Sequence, residues 1–187
     1  MLFVDGENLL ARGKTVAASA QVQLQPGDFC VDGAYLWLNG FCTRLVSSAI
    51  LGGHFGPKLE EDAIRAFYYS SFTGHLNNVK TYRESLHAIG FHAELFHKQK
   101  NKRAKRVDIT LARDMLFNSL RDNLDVAVIF SGDEDYVPLI EEVKRAGKNV
   151  WLCWLESPEG GLSEALRLAS DAFFPIDHEF LHSWRPR

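Results

Sequence analysis

Residues 126–136 read VAVIFSGDEDY: five apolar residues, rich in β-branched side chains, then a serine, a glycine and an acidic cluster. A run that is apolar at every position suits a strand buried on both faces, as in a parallel sheet. Working outward, similar short runs recur at Met1–Val4, Ile64–Tyr69, Phe91–Phe96 and Val150–Leu155, with a sixth candidate at Ala172–Ile176. Between them apolar residues return with a helical period. The first such stretch uses Tyr35, Leu38, Cys42, Leu45 and Ala49, and the next Leu76, Val79, Tyr82, Leu86 and Ile89. Then come Ile109, Ala112, Leu116 and Leu120, followed by Tyr136, Leu139, Ile140 and Val143, and a short stretch over Leu162–Ala169. Alternation of this kind predicts right-handed crossovers, and so an α/β fold with a mainly parallel sheet between helices. Two segments break the pattern. Residues 11–30 read as a long loop, and residues 97–106, HKQKNKRAKR, as a polar one. The expectation is one domain over 1–187, with a long loop or insertion at about 11–35.

The acids fall at meaningful places in this pattern. Asp5 directly follows the first strand, in VDGEN, with Asn8 just beyond. Asp133 and Asp135 directly follow VAVIF, and Asp108 opens the helix of KRVDITLARDML. In open parallel sheets ligands bind beyond the carboxyl ends of the strands, where the strand order reverses. If the first and fourth strands are neighbours there, Asp5, Asp133 and Asp135 meet in one crevice, and Asp108 joins from its helix. Clustered carboxylates repel, and burial adds to the cost of each charge. A hard divalent cation, Mg²⁺ or Mn²⁺, removes that penalty and suits phosphodiester hydrolysis. The plainer reading is that each acid merely caps a helix or turn. Asp114 lies about 240° around the helix from Asp108, which makes it a helix-surface residue or an outer partner of the ligands rather than a ligand of the same ion.

Composition narrows the classes. At 46% hydrophobic and 24% charged residues over 187 positions, a core is affordable and wholesale disorder is excluded. Lys plus Arg number 21 against 24 acids, a net charge of −3, so the chain is not basic throughout. Cys30, Cys42 and Cys153 show no C-x-x-C spacing, which argues against a disulfide framework and for a reducing compartment. The start, MLFVDGENLL, lacks the basic region of a signal peptide, and no stretch approaches the roughly 18 apolar residues of a membrane span. The expectation is a cytoplasmic protein with no membrane partner.

FVDGENLL, KRVDITLARDML and VIFSGDEDYVPLIEEVKRAGKNV together resemble the three signatures of NYN domains in the PIN-like nuclease superfamily, with the LabA-like branch the nearest match. LSEALRLASDAFFPID is similar to that family's last helix and strand. The resemblance is weakest over residues 11–60. It implies a Rossmann-like three-layer α/β/α sandwich with central strand order 3-2-1-4-5. It also implies a metal-dependent ribonuclease, with endonucleolytic cleavage of RNA. Carried over by motif, the catalytic residues are Asp5, Asn8, Asp108, Asp133 and Asp135, with Asp5, Asp108 and Asp133 holding Mg²⁺ or Mn²⁺.

The RNA side is predicted from charge. Lys98, Lys100, Lys102, Arg103, Lys105 and Arg106 place six cations within nine residues just before Asp108. Such runs hold phosphate backbones, and Lys102, Arg103, Lys105 and Arg106 are the expected RNA contacts. Single-stranded RNA is the expected partner, and a homo-oligomer is compatible with the sequence. Tyr68, Tyr69 and Phe72 are candidates to stack bases, although strand aromatics are more often core. His87, His92 and His97 recur at five-residue intervals that suit no one face. Neither G-x-x-x-x-G-K-[ST] nor G-x-G-x-x-G occurs, so no nucleotide cofactor is expected. The rivals are a non-catalytic RNA- or protein-binding module and a haloacid-dehalogenase-type phosphatase. The phosphatase needs a second Asp two residues after the first, where this chain has Glu7.

Overall fold

Six parallel strands run in the order β3-β2-β1-β4-β5-β6. They are β1 (Leu2–Asp5), β2 (Ala66–Phe72), β3 (Phe91–His97), β4 (Val126–Phe130), β5 (Asn149–Trp154) and β6 (Ala172–Pro175). The computed structural model describes residues 1–22, 65–72, 78–88, 90–98 and 105–177. Among the described residues five α-helices lie between the strands: α1 (Gly6–Ser19), α2 (Asn78–Ala88), α3 (Lys105–Leu120), α4 (Val137–Arg145) and α5 (Glu164–Ala169). Right-handed crossovers put α1 and α2 on one face of the sheet, and α3, α4 and α5 on the other. In keeping with this, α3 packs on α4 and α4 on α5. The result is the expected three-layer α/β/α arrangement, with β6 extending the predicted order.

The sheet centre is apolar on both faces. Phe3, Val4, Ala127, Ile129, Phe130, Leu152 and Trp154 are all fully buried. Helices present matching stripes, in α3 through Val107, Leu111 and Met115 and in α4 through Leu139, Ile140 and Val143. Register then decides what emerges at the sheet's carboxyl edge. Val4 pairs with Phe130, so Asp5 and Ser131 leave the sheet side by side. The chain turns away from β1 toward β2 on one side and from β4 toward β5 on the other, which makes the β1–β4 edge the switch point.

Three expectations are corrected. Residues 11–19, read as loop, continue α1, because Leu9, Leu10, Gly13, Val16 and Ala17 form a buried stripe. The small residues in that stripe hide its period. The helix of α3 starts at Lys105, so Asp108 stands in its first turn rather than opening it. β2 runs on to Phe72, and Tyr68, Tyr69 and Phe72 are buried in the core, which leaves none of them a face on which a base could stack. The predicted helix over Tyr35–Ala49, the rest of the segment at 23–35, and Cys30 and Cys42 lie outside the described residues.

Candidate functional site

Asp5 ends β1 and caps α1, its Oδ1 accepting from the Asn8 backbone N–H at 3.0 Å. Its other oxygen, Oδ2, accepts from the Ser131 hydroxyl and the Tyr136 hydroxyl, each at 3.3 Å. Ser131, at the end of β4, is a hub. It accepts from the Asn8 side-chain amide and from the Asp133 backbone N–H, both at 3.3 Å. Asp133 in turn caps the short 3₁₀ turn Glu134–Tyr136, accepting from the Asp135 N–H at 3.1 Å. That turn carries Tyr136 inward, where its hydroxyl also lies 3.4 Å from Asp108 Oδ1. One O–H therefore faces two carboxylates that come from different elements.

A cavity of about 780 Å³ opens over this frame. Asp5, Glu7, Asn8, Asp108, Asp133 and Asp135 line it, so every site acid expected from the sequence reaches one space. Its electrostatics are unusual. Burial pushes the Asp5 carboxyl up to about 7, against bonds from Asn8, Tyr136 and Ser131 that favour its charge, and Asp108 adds repulsion. Asp108 is raised in the same direction, first by desolvation, with Asp133, Glu7 and Asp135 as nearby like charges. The Tyr136 hydroxyl, buried between Asp5 and Asp108, is held far above the ordinary phenol range and stays neutral. Among the described residues, neither Asp5 nor Asp108 has an ion-pair partner.

Two glycines next to these acids are there for space. A Cβ on Gly6 would stand 2.2 Å from Tyr68 Cε1, and one on Gly132 2.2 Å from Trp154 Nε1. Close packing against buried aromatics is the reason for a glycine at each position.

The other expected residues are placed apart. Asp114 faces away from the cavity, accepting from the Tyr69 hydroxyl at 3.1 Å, as its helical phase predicts. Arg106 is exposed, with its guanidinium 6.0 Å from the Phe96 ring centre. Lys100, Lys102 and Arg103 lie outside the described residues, as does the Lys105 side chain. Lys98 does not reach out for substrate; it pairs with Glu7 at 2.5 Å, and Glu7 also accepts from Ser71 at 2.7 Å. His87 and His92 pack edge to face, and His97 packs against Phe72. Ser131, Tyr136, Glu7 and Arg12 also belong to the site or its lining; the sequence pattern does not single them out, Arg12 because it lies in the stretch whose helical period is hidden.

The family model of the NYN domain matches residues 1–177. No curated protein matches the chain. Among solved structures, a protein of unknown function from Vibrio parahaemolyticus is similar, with a TM-score of 0.59. Its sequence is 17% identical, over 96% of this chain and 93% of that one, a likeness that speaks for the fold alone.

Proposed function

The chain belongs to the NYN domain family of PIN-like nucleases, and from that premise we propose that it is a metal-dependent endoribonuclease acting on single-stranded RNA as one domain. The observation that carries this reading is the convergence of Asp5 and Asp108 on the Tyr136 hydroxyl, in a cavity also lined by Asp133 and Asp135. Buried acids without a cation are costly, and a fold that assembles them has a use for the charge.

The donor set fits Mg²⁺ or Mn²⁺, being made entirely of hard oxygen atoms. Among the described residues no three acids, histidines or cysteines enclose an ion as they stand. Mg²⁺ does not need such a cage, since it commonly takes one or two carboxylates, keeps several waters and shares the substrate phosphate. Asp5, Asp108 and Asp133 are the residues that would hold it. When bound, such an ion lowers the pKa of water and offsets charge on the phosphate oxygens.

The protein's own groups do the rest. Tyr136, always a donor at working pH, fixes the facing oxygens of Asp5 and Asp108. Ser131 ties Asp5 to the Asp133 backbone, so both strand ends move as a unit. Asn8 locks that serine with its amide, and its own N–H orients Asp5. Asp135, exposed at the rim, is the acid placed to receive a proton from an attacking water. Lys102, Arg103, Lys105 and Arg106 hold the RNA backbone beside the start of α3.

The decisive experiment compares wild type with Asp133→Asn on RNA in Mg²⁺ or Mn²⁺. A loss of cleavage of at least about 100-fold is expected, because even outer partners of metal sites cost 10–100-fold. Equal residual cleavage by both proteins would overturn the catalytic reading. RNA binding without cleavage by wild type would leave a binding module, and a trapped phosphoryl group on Asp5 would point to the phosphatase.

A further inference from the structure

Arg12 lines the acidic cavity and yet is bound to none of its acids. It stands one turn beyond Asn8 on α1, on the same helix face as Thr15, and both line the cavity wall. Five carboxylates share that cavity, those of Asp5, Glu7, Asp108, Asp133 and Asp135. Among the described residues Arg12 has no hydrogen-bond or ion-pair partner. Lys98, by contrast, is occupied by Glu7.

The Arg12 guanidinium lies beside the backbone of Gly161. Gly161 sits at φ +64°, where side chains are rarely accepted, and a Cβ there would stand 2.4 Å from Arg12 Cζ. The turn before it, Pro158–Gly160, is tied to the end of α1 through Ser19, whose hydroxyl donates to Glu159 at 3.0 Å. Glu159, an acid on the loop that packs against α1, is thereby engaged by Ser19. The result is an exposed guanidinium beside the Gly161 turn, without a partner among the described residues, on the wall of a cleft that five carboxylates line. A guanidinium fork matches two phosphate oxygens at once.

We propose that Arg12 binds a backbone phosphate of single-stranded RNA, adjacent to the phosphate that is cleaved. This deepens the ribonuclease reading and rests on it. Arg12 stands one helical turn, about 5.4 Å, beyond Asn8 along α1, which places it for a phosphate next to the one at the carboxylates. The preferred substrate is then an RNA with at least two consecutive phosphodiesters.

Binding of a labelled oligouridylate tests this without cleavage, in the Asp133→Asn background at fixed Mg²⁺ and varied monovalent salt. Each lost single-strand phosphate contact reduces the slope of log affinity against log salt by about 0.7. Arg12→Ala is expected to lose that slope and about tenfold in affinity. Arg12→Lys keeps the slope while losing part of the affinity, and Lys80→Ala, on the far surface of α2, changes neither. Equal slopes for Arg12→Ala and its parent, with equal melting temperatures, overturn the assignment alone. A parent with no salt-dependent affinity for the RNA overturns the ribonuclease reading and this inference together. A slope change together with a wild-type protein that does not cleave RNA in Mg²⁺ or Mn²⁺ removes the catalytic reading and keeps Arg12 as a phosphate contact.

Discussion

Two tyrosines buried in the core each donate to an aspartate of α3, and the two pairs have opposite electrostatics. Tyr69 donates to Asp114, whose other oxygen is met by the Arg113 guanidinium at 2.7 Å. Tyr136 donates toward Asp108 and Asp5 together, with Asp133 and Glu7 close by and no cation paired to either acid among the described residues. The helix is the same and the aspartates are only six positions apart. Asp114 is part of a balanced structural contact. Asp108 belongs to a frame that keeps charges close and leaves their compensation to a proton or to something bound. Hydrogen bonding alone does not distinguish a site from scaffolding; the unmet charge does.

The largest expected effect comes from removing that charge at its most buried point. In Asp5→Asn the side chain still accepts from the Asn8 N–H, and the Tyr136 hydroxyl can turn to accept from the new amide. Asp5 has an ordinary value of 3.8 and a folded value of about 7. Its raised pKa favours folding fully below 3.8, and that contribution is lost as pH rises through 7. Ionised Asp5 thus costs roughly 4 kcal/mol above pH 7, at about 1.4 kcal/mol per pH unit. In a chelator, the stability of Asp5→Asn relative to wild type is expected to rise by about 2–3 kcal/mol between pH 5 and pH 8. Denaturant titrations at both pH values measure it. A difference that does not change with pH would show that the Asp5 charge carries no strain, and the contrast with Asp114 would collapse. Cleavage of RNA should fall in the same variant, so stability and activity move in opposite directions.

The next effect is smaller and isolates the shared hydroxyl. Tyr136→Phe keeps the buried ring and deletes the hydroxyl that Asp5 and Asp108 share. The expected cost is 10–100-fold in metal affinity or cleavage, typical of an outer partner that orients ligands. Tyr69→Phe is the matched control, with cleavage retained. Equal activity losses in the two variants would mean that both act through general packing.

How much of this was legible in the sequence follows from the range of each signal. β4 was predicted at its observed bounds, Val126–Phe130, because an unbroken apolar run between polar residues is a local signal. The acids are legible because each follows such a run or lies near the start of a helix. The frame around them was not. Ser131 and Tyr136 meet Asp5 only because Val4 pairs with Phe130, and no periodicity encodes the register between distant strands. Tyr136 fits the apolar stripe of a helix equally well, so its hydroxyl gave no sign of its role. Arg12 was hidden for a different reason. Its helix buries Gly13 and Ala17, residues too small to announce a buried face.

The smallest expected effect sharpens the comparison from the balanced side. In Asp114→Asn the side chain still has an oxygen to accept from Tyr69, so the buried hydroxyl keeps its partner. What is lost is the charge, and with it the pair to Arg113, whose side chain is 68% exposed. Ion pairs that face solvent contribute about 0–1 kcal/mol. A charged acceptor is worth somewhat more to a hydroxyl than a neutral one, and the net loss should be about 1 kcal/mol. Metal-dependent cleavage should stay within about twofold of wild type, since Asp114 lies outside the cavity lining. A folded Asp114→Asn protein that has lost cleavage would extend the active frame along α3. Six residues of helix, and a turn of some 240°, would then no longer separate scaffold from site.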